Sequence, residues 1–353
     1  MVKHLAENVN NNIIPGCNQW ILFDTSHAFS LLLREFKVLP RHAKERLTSS
    51  GIKSRGKIAP QKGKHMKFSA ETKRDAQNKI TGDKIFLITL IITCMLMTAG
   101  CACLTPPVIP TEVQEVRPGK LQGYLPPDKT PNSLALLPAH PARESAAFAA
   151  DREAFLTTRP LINTARWKQA AKDADLHFPE APQAFSCALN APITKGVMPN
   201  LYILLQRTST DASVAVSAAK KNYQRVRPFV EYKQTSCTPD WEDNMKRDGS
   251  YPSGHTTIGW TWALILAEIA PDRADAVLLR GYAFGQSRVI CGAHWQSDVT
   301  AGRVIGAALV ARLHADLVFR SQLEAAKKEL AAAWAKGLQP TVNCQAEAAA
   351  LAF

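Results

Sequence analysis

The sequence predicts an all-α fold, a single compact helical domain built around one central buried helix. Three observations lead there. From about residue 143 onward apolar residues recur at three- and four-residue spacings, the period of a helix. No run of alternating apolar and polar residues is long enough to build a sheet. One segment, Thr256–Ala270, is apolar nearly all round, which suits a helix enclosed by others. No internal repeat interrupts this pattern.

The first hundred residues stand apart. The chain has 353 residues, 46% hydrophobic and 21% charged, with a formal net charge of +13. Such basicity raises nucleic acid as a partner. Its distribution argues against that class. Residues 1–100 carry 16 Lys+Arg against 7 Asp+Glu, whereas residues 101–353 carry 27 against 23. No Lys/Arg stripe interleaved with aromatics follows, so no nucleic-acid partner is expected.

"KIFLITLIITCMLMTAGCAC", Lys84 to Cys103, is an apolar run with lysines upstream and small residues at its end. Between Lys84 and Gly100 it is shorter than the ~18–20 residues of a spanning helix. It has the three parts of a secretory signal. The first methionine upstream, Met66, opens a long basic n-region. Residues 66–100 therefore read as a signal peptide, and residues 1–65 as an N-terminal extension dispensable for the fold. "TAGC", ending at Cys101, resembles a bacterial lipoprotein box, in which that cysteine is lipidated. Thr98 stands where such boxes usually have leucine, so an ordinary cleaved signal is the alternative. Either way the expected location is the periplasm or cell envelope, with membrane contact only through a lipid anchor.

Residues 101–142 are proline-rich and read as extended, wrapping chain. The helical domain follows over 143–340. "SAAFAADREAFLTTR" and "TARWKQAAKDADL" begin it. "NLYILLQRTSTDASVAVSAAKKNYQRVRPF" reads as one long helix or two joined ones, stopped by Pro228. The central buried helix comes next, then "DRADAVLLRGYAFGQS" and "HWQSDVTAGRVIGAALVARLHADL". An Ala/Lys/Glu helix, "SQLEAAKKELAAAWAKG", closes the ordered part and leaves 341–353 as a tail. Four cysteines lie in this body: Cys187, Cys237, Cys291 and Cys344. In an oxidising envelope they could form two bridges, with three connectivities that the sequence leaves open. No CxxC pair has zinc spacing, so no structural metal is expected.

Three clusters carry the chemistry. Lys220 and Arg227 are seven apart, which on a continuous helix places them on one face; alone, such a pair is usually solvated surface. Pro252-Ser253-Gly254-His255 stands at a helix start, where unpaired N–H groups and the positive dipole end favour an anion. Arg288 precedes His294 and Asp298. The last two are four apart, so the carboxylate can accept from the imidazole, fix its tautomer and leave the other nitrogen free.

Together the clusters read K-x6-RP, PSGH, SR-x5-H-x3-D. That order resembles the signature of the superfamily of type 2 phosphatidic acid phosphatases, bacterial acid phosphatases and vanadium haloperoxidases. "GSYPSGHT" and "GQSRVICGAHWQSDV" look more narrowly like the class A bacterial non-specific acid phosphatases, over essentially the whole chain from Gly123 to the C-terminal helix. The residue chemistry agrees. Lys220, Arg227 and Arg288 offer positive charge to phosphate oxygens, and Ser253 and the Gly254 N–H complete a cradle. His294, partnered by Asp298, suits the nucleophile; His255, with no acidic neighbour in sequence, suits the general acid and base. Its charged form would be lost as pH rises through its ordinary value near ~6.5. The resemblance implies the same roles, a type 2 phosphatidic acid phosphatase-like fold, no cofactor and no metal. It also implies broad use of phosphomonoesters, including nucleotides, and a homodimer. A vanadate-dependent haloperoxidase using the same pocket, and a non-catalytic phosphate-binding lipoprotein, are the alternatives.

Overall fold

The central segment of the sequence becomes the central helix of the fold. In the computed structural model, which describes residues 89–90, 108–110 and 112–352, it spans Gly254–Ile269. The chain divides into two units, Met1–Gly100 and Cys101–Phe353. Everything below concerns the second. The proposed extension and Cys101 fall outside the described residues, as does the signal peptide apart from Thr89 and Leu90, which are helical.

Helices of seven residues or more are numbered here in chain order. They are α1 (Ala146–Thr157), α2 (Ala165–Lys172), α3 (Pro199–Ala215), α4 (Ser217–Tyr223) and α5 (Gly254–Ile269). Then come α6 (Ala274–Ile290), α7 (Gln296–Leu313), α8 (Leu317–Ala335) and α9 (Cys344–Leu351). Their starts follow local chemistry. Ser145, Thr164, Asp316 and Asn343 each accept a backbone N–H of the first turn of α1, α2, α8 and α9. No helix among the described residues is long and apolar enough to cross a membrane.

α5 packs against α3, α6, α7 and α8, and its Ile258, Trp262, Ile265 and Leu266 lie in the main core. The indole N–H of Trp262 donates to the Leu205 carbonyl at 2.9 Å, tying α5 to α3. α7 comes close enough to α5 for the Thr257 hydroxyl to donate to the Gly302 carbonyl at 3.1 Å. A Cβ on Gly302 would stand 2.7 Å from the Ser253 carbonyl, so only glycine allows this approach. The start of α5 is thereby clamped to the first turns of α7. At that end α1 contributes Phe148 and Phe155, whose rings lie 5.2 and 6.1 Å from that of the buried Trp295.

Four features depart from the sequence reading. The proline-rich segment contains a small antiparallel pair, β1 (Glu115–Arg117) with β2 (Lys120–Leu121), which three and two residues of alternation could not announce. The 200–229 stretch forms two helices, α3 and α4, and stops at Gln224, which is left-handed at φ 43, rather than at Pro228. Proline 228 instead opens a short helix of its own, Pro228–Glu231. The ordered chain also continues past 340: α9 is held by a disulfide between Cys187 and Cys344, and a second bridge joins Cys237 to Cys291. These choose one connectivity from the three.

Candidate active site

A cavity of about 480 Å³ opens where α4, α5, the end of α6 and the start of α7 meet; Lys220, Arg227, Gly254, His255, Arg288 and His294 all line it. The three sequence clusters, spread over nearly eighty residues, therefore converge on one space.

The first cluster converges by a different route from the helical face expected. α4 ends at Tyr223, and Arg227 has extended backbone, φ −79 and ψ 152. Lys220 and Arg227 share no helix. The proline at 228 carried that signal, because it disfavours helical backbone in the residue before it. The left-handed Gln224 turns the chain so that both cations still meet. Lys220 donates to the Asp248 carboxylate at 3.1 Å and to the Gly249 carbonyl. Arg227 donates from Nη2 to the same carboxylate at 3.4 Å and from Nε to the Met245 carbonyl at 2.8 Å.

The second cluster is the start of α5. Ser253 is its N-cap, accepting from the Thr256 N–H at 3.3 Å and the Thr256 hydroxyl at 2.9 Å. Its side chain does not line the cavity, so the expected phosphate ligand is first a structural cap with only its own proton left to give. Gly254 does line it. A Cβ there would make ordinary contacts of 3.9 Å with Lys220 and Val216. The protein leaves that room to a ligand. As the first residues of α5, Gly254 and His255 have N–H groups without the carbonyl of a preceding turn. The His255 ring faces the cavity while its Nε2–H donates to the Ala174 carbonyl at 3.0 Å. Nδ1 is left as the nitrogen that can exchange a proton.

In the third cluster, Arg288 is 1% exposed, yet its Nε and Nη1 have no acceptor. His294 donates from Nδ1 to Asp298 Oδ2 at 3.3 Å, and its Nε2 accepts from Arg227 Nη1 at 3.0 Å. The tautomer expected from the sequence is the one this geometry supports. The pair does not span a helical turn, however. His294 precedes α7, and Asp298 is the third residue of α7, where its Oδ2 also accepts the Trp295 backbone N–H at 2.9 Å.

Asp298 has a further partner that the sequence analysis missed. Arg225 donates to Asp298 Oδ1 at 2.6 Å and to Asp151 at 2.8 Å, and all three side chains are buried. Asp151, from α1, also accepts the backbone N–H and hydroxyl of Ser297. The only sequence trace of this clamp is "RVR" before Pro228. In that extended stretch both arginines are buried and Val226 is 49% exposed, the reverse of ordinary patterning. Asp151 lies more than seventy residues away and gives no local sign. Asp248, the carboxylate shared by Lys220 and Arg227, was missed for the same reason.

Burial dominates the electrostatics. It pushes Lys220 down to about 8, with Arg227 adding to the effect and Asp248 opposing it. It pushes Arg288 down to about 9, again with Arg227 adding. Both histidines fall well below their usual 6.5. For His255 the causes are burial, then Arg288; for His294 they are burial, then Arg227 and Lys220. The pocket thus gathers three cationic side chains around two imidazoles whose charged forms are disfavoured. His255 lies below the ordinary value expected from the sequence. What the arrangement lacks is a compact anion with several oxygens.

Comparison with known proteins agrees. The model of the PAP2 superfamily matches residues 201–321. A non-specific acid phosphatase of Providencia stuartii is 46% identical over 209 residues, covering 59% of this chain and 84% of that relative. Another from Salmonella typhi is 41% identical over 211 residues, or 60% and 84%. An acid phosphatase of Zymomonas mobilis is 43% identical over 197 residues, or 56% and 75%.

Proposed function

The chain belongs to the PAP2 superfamily, among its bacterial non-specific acid phosphatases, and from that premise we propose that it hydrolyses phosphomonoesters through a phosphohistidine formed on His294. The observation that carries this is Arg288. A guanidinium with two buried nitrogens that have no protein acceptor, in a cavity beside Lys220 and Arg227, suits an anion.

The phosphoryl group sits among Lys220, Arg227, Arg288 and the first N–H groups of α5. Arg227 Nη1 turns from His294 Nε2 to a phosphoryl oxygen and frees that lone pair. Nε2 attacks phosphorus, and the bond to the leaving oxygen breaks. His255 gives the proton on Nδ1 to that oxygen, while its Nε2–H stays on Ala174. The phosphorylated His294 ring, still protonated at Nδ1, is a cation, and Asp298 stabilises it. Arg225 and Asp151 hold that carboxylate in place. A water then attacks phosphorus as His255 Nδ1 accepts its proton, the P–N bond breaks, and its electron pair returns to Nε2.

Because burial and the neighbouring cations disfavour both imidazolium forms, the proton on His255 comes in with the substrate, as the ester monoanion or with the dianion that favours imidazolium. Three cations and a helix end supply charge stabilisation, so activity should persist in EDTA. Export to the envelope, through the leader ending at Gly100 or an anchor on Cys101, is proposed from the leader's composition. Residues 1–65 are proposed to be dispensable, with helical chain filling 143–340. Nucleotides among the substrates, a broad range and a homodimer are proposed from the family.

Trapping the intermediate tests the mechanism. His294→Ala should lose turnover on every substrate. His255→Ala should release a burst of about one p-nitrophenolate per site and then turn over slowly, because an aryl leaving group departs nearly unaided while water lacks its base. Acid-labile phosphate should be found on the peptide containing His294. Label on His255, or turnover without any phosphoenzyme, defeats the assignment.

A further inference from the structure

Asp173 is a buried carboxylate outside the cavity. It follows α2 directly and is 1% exposed. Its oxygens accept from Arg280 Nη2 at 2.5 Å, the Ser287 hydroxyl at 2.5 Å and Gln169 Nε2 at 2.9 Å. This saturates a group that could not stay buried and charged without partners. Its neighbours in the chain are the telling feature. The next residue, Ala174, provides the carbonyl that holds His255 Nε2–H. Ser287 immediately precedes Arg288. One carboxylate thus fixes the backbone beside two residues of the cavity.

The bracing extends outward. Arg166 Nη1 donates to the Ser287 hydroxyl at 3.0 Å. Arg280 Nε donates to Glu347 of α9 at 3.2 Å. α9 itself starts at Cys344, tied to Cys187. A contiguous set of contacts therefore runs from the C-terminal helix through Glu347, Arg280 and Asp173 to the carbonyl on His255.

We propose that Asp173 is the positioning residue for the proton-donating histidine, and that Glu347 of the disulfide-tethered C-terminal helix braces it through Arg280. The role follows from the tautomer. A histidine that exchanges a proton at Nδ1 needs its Nε2–H fixed, and here a backbone carbonyl does this where His294 has a carboxylate. A carbonyl on the turn after a helix holds still only if that turn is held. Asp173 holds it.

The inference rests on His255 being the general acid, and leaving-group dependence provides a readout that a merely structural role does not move. For a series of aryl and alkyl phosphates, log kcat/KM is plotted against the pKa of the leaving alcohol for the wild type, His255→Ala, Asp173→Asn and Glu347→Gln. A displaced catalytic group costs about 10²-fold, so Asp173→Asn should lose about that much on glycerol phosphate and under about 10-fold on p-nitrophenyl phosphate. Glu347→Gln, on a half-buried partner, should steepen the plot in the same direction by about 3- to 10-fold on the alkyl ester. The ¹⁵N spectrum of His255 should show the Nε2–H tautomer in the wild type and a mixture in Asp173→Asn. Should Asp173→Asn fail to fold, the Glu347→Gln slope decides. Equal losses on all leaving groups, or a slope unchanged from the wild type in Glu347→Gln, overturn the proposal. If His255→Ala itself shows no leaving-group dependence, the general-acid assignment falls and this inference with it. If His255→Ala shows it and the other two do not, only the positioning role falls.

Discussion

Arg288→Met should make the free protein more stable and a far poorer phosphatase. Methionine keeps most of the side-chain volume and removes the charge. In the wild type the guanidinium is fully buried with Nε and Nη1 unpartnered, and burial, with Arg227, pushes its pKa down to about 9. Burial without a partner therefore works against the charged form. The penalty is present at every pH below about 9 and is relieved only above it. Replacing a buried charge by an apolar side chain of similar volume gains roughly 1–3 kcal/mol. That corresponds to a Tm rise of roughly 2–10 °C for a domain of this size. Loss of a charge-stabilising donor should lower kcat/KM by about 10²- to 10³-fold. Thermal melts in phosphate-free buffer and in phosphate, with kinetics on p-nitrophenyl phosphate, read both effects. Phosphate should raise the wild-type Tm by more than that of the variant. A variant that melts below the wild type without phosphate would mean that Arg288 is satisfied in the free protein, which would refute the reasoning.

Two further outcomes follow from the pocket. Lys220 is buried and Lys221 is exposed, so Lys220→Ala should cost about 10²-fold in kcat/KM while Lys221→Ala changes it by no more than about 3-fold on simple esters; equal damage at both would refute the placement of α4. The alkaline limb of kcat/KM should begin near the second ionisation of the ester, at about pH 6, because burial and Arg288 hold His255 below its ordinary range. It should steepen above about pH 8, where Lys220 loses its proton. A phosphorothioate ester, which ionises at lower pH, should carry the first limb with it; a limb that stays in place for both substrates assigns it to the enzyme.

The sequence by itself determined the fold class and pointed to six residues that line the cavity. A helical period, a wholly apolar central segment and residues suited to helix starts are local properties, and short-range chain physics preserves them when the protein folds. PSGH could be read as an anion site because the geometry of a helix start lies within four residues. His294 and Asp298 could be paired because only three residues separate them. Lys220 and Arg227 mark where this logic fails: spacing put them on one helix, whereas the left-handed Gln224 ends α4 between them, and the cavity reunites them. Tertiary structure alone chose Cys187–Cys344 and Cys237–Cys291, turned Ser253 inward as a cap, and brought Asp151 to Arg225, Asp248 to Lys220 and Ala174 to His255. Apart from the Ser253 cap, those contacts join residues from 28 to 157 positions apart, and no periodicity encodes them. They exist because burying a charge or a polar ring in a packed interior requires a partner, and only the folded chain determines which one is within reach.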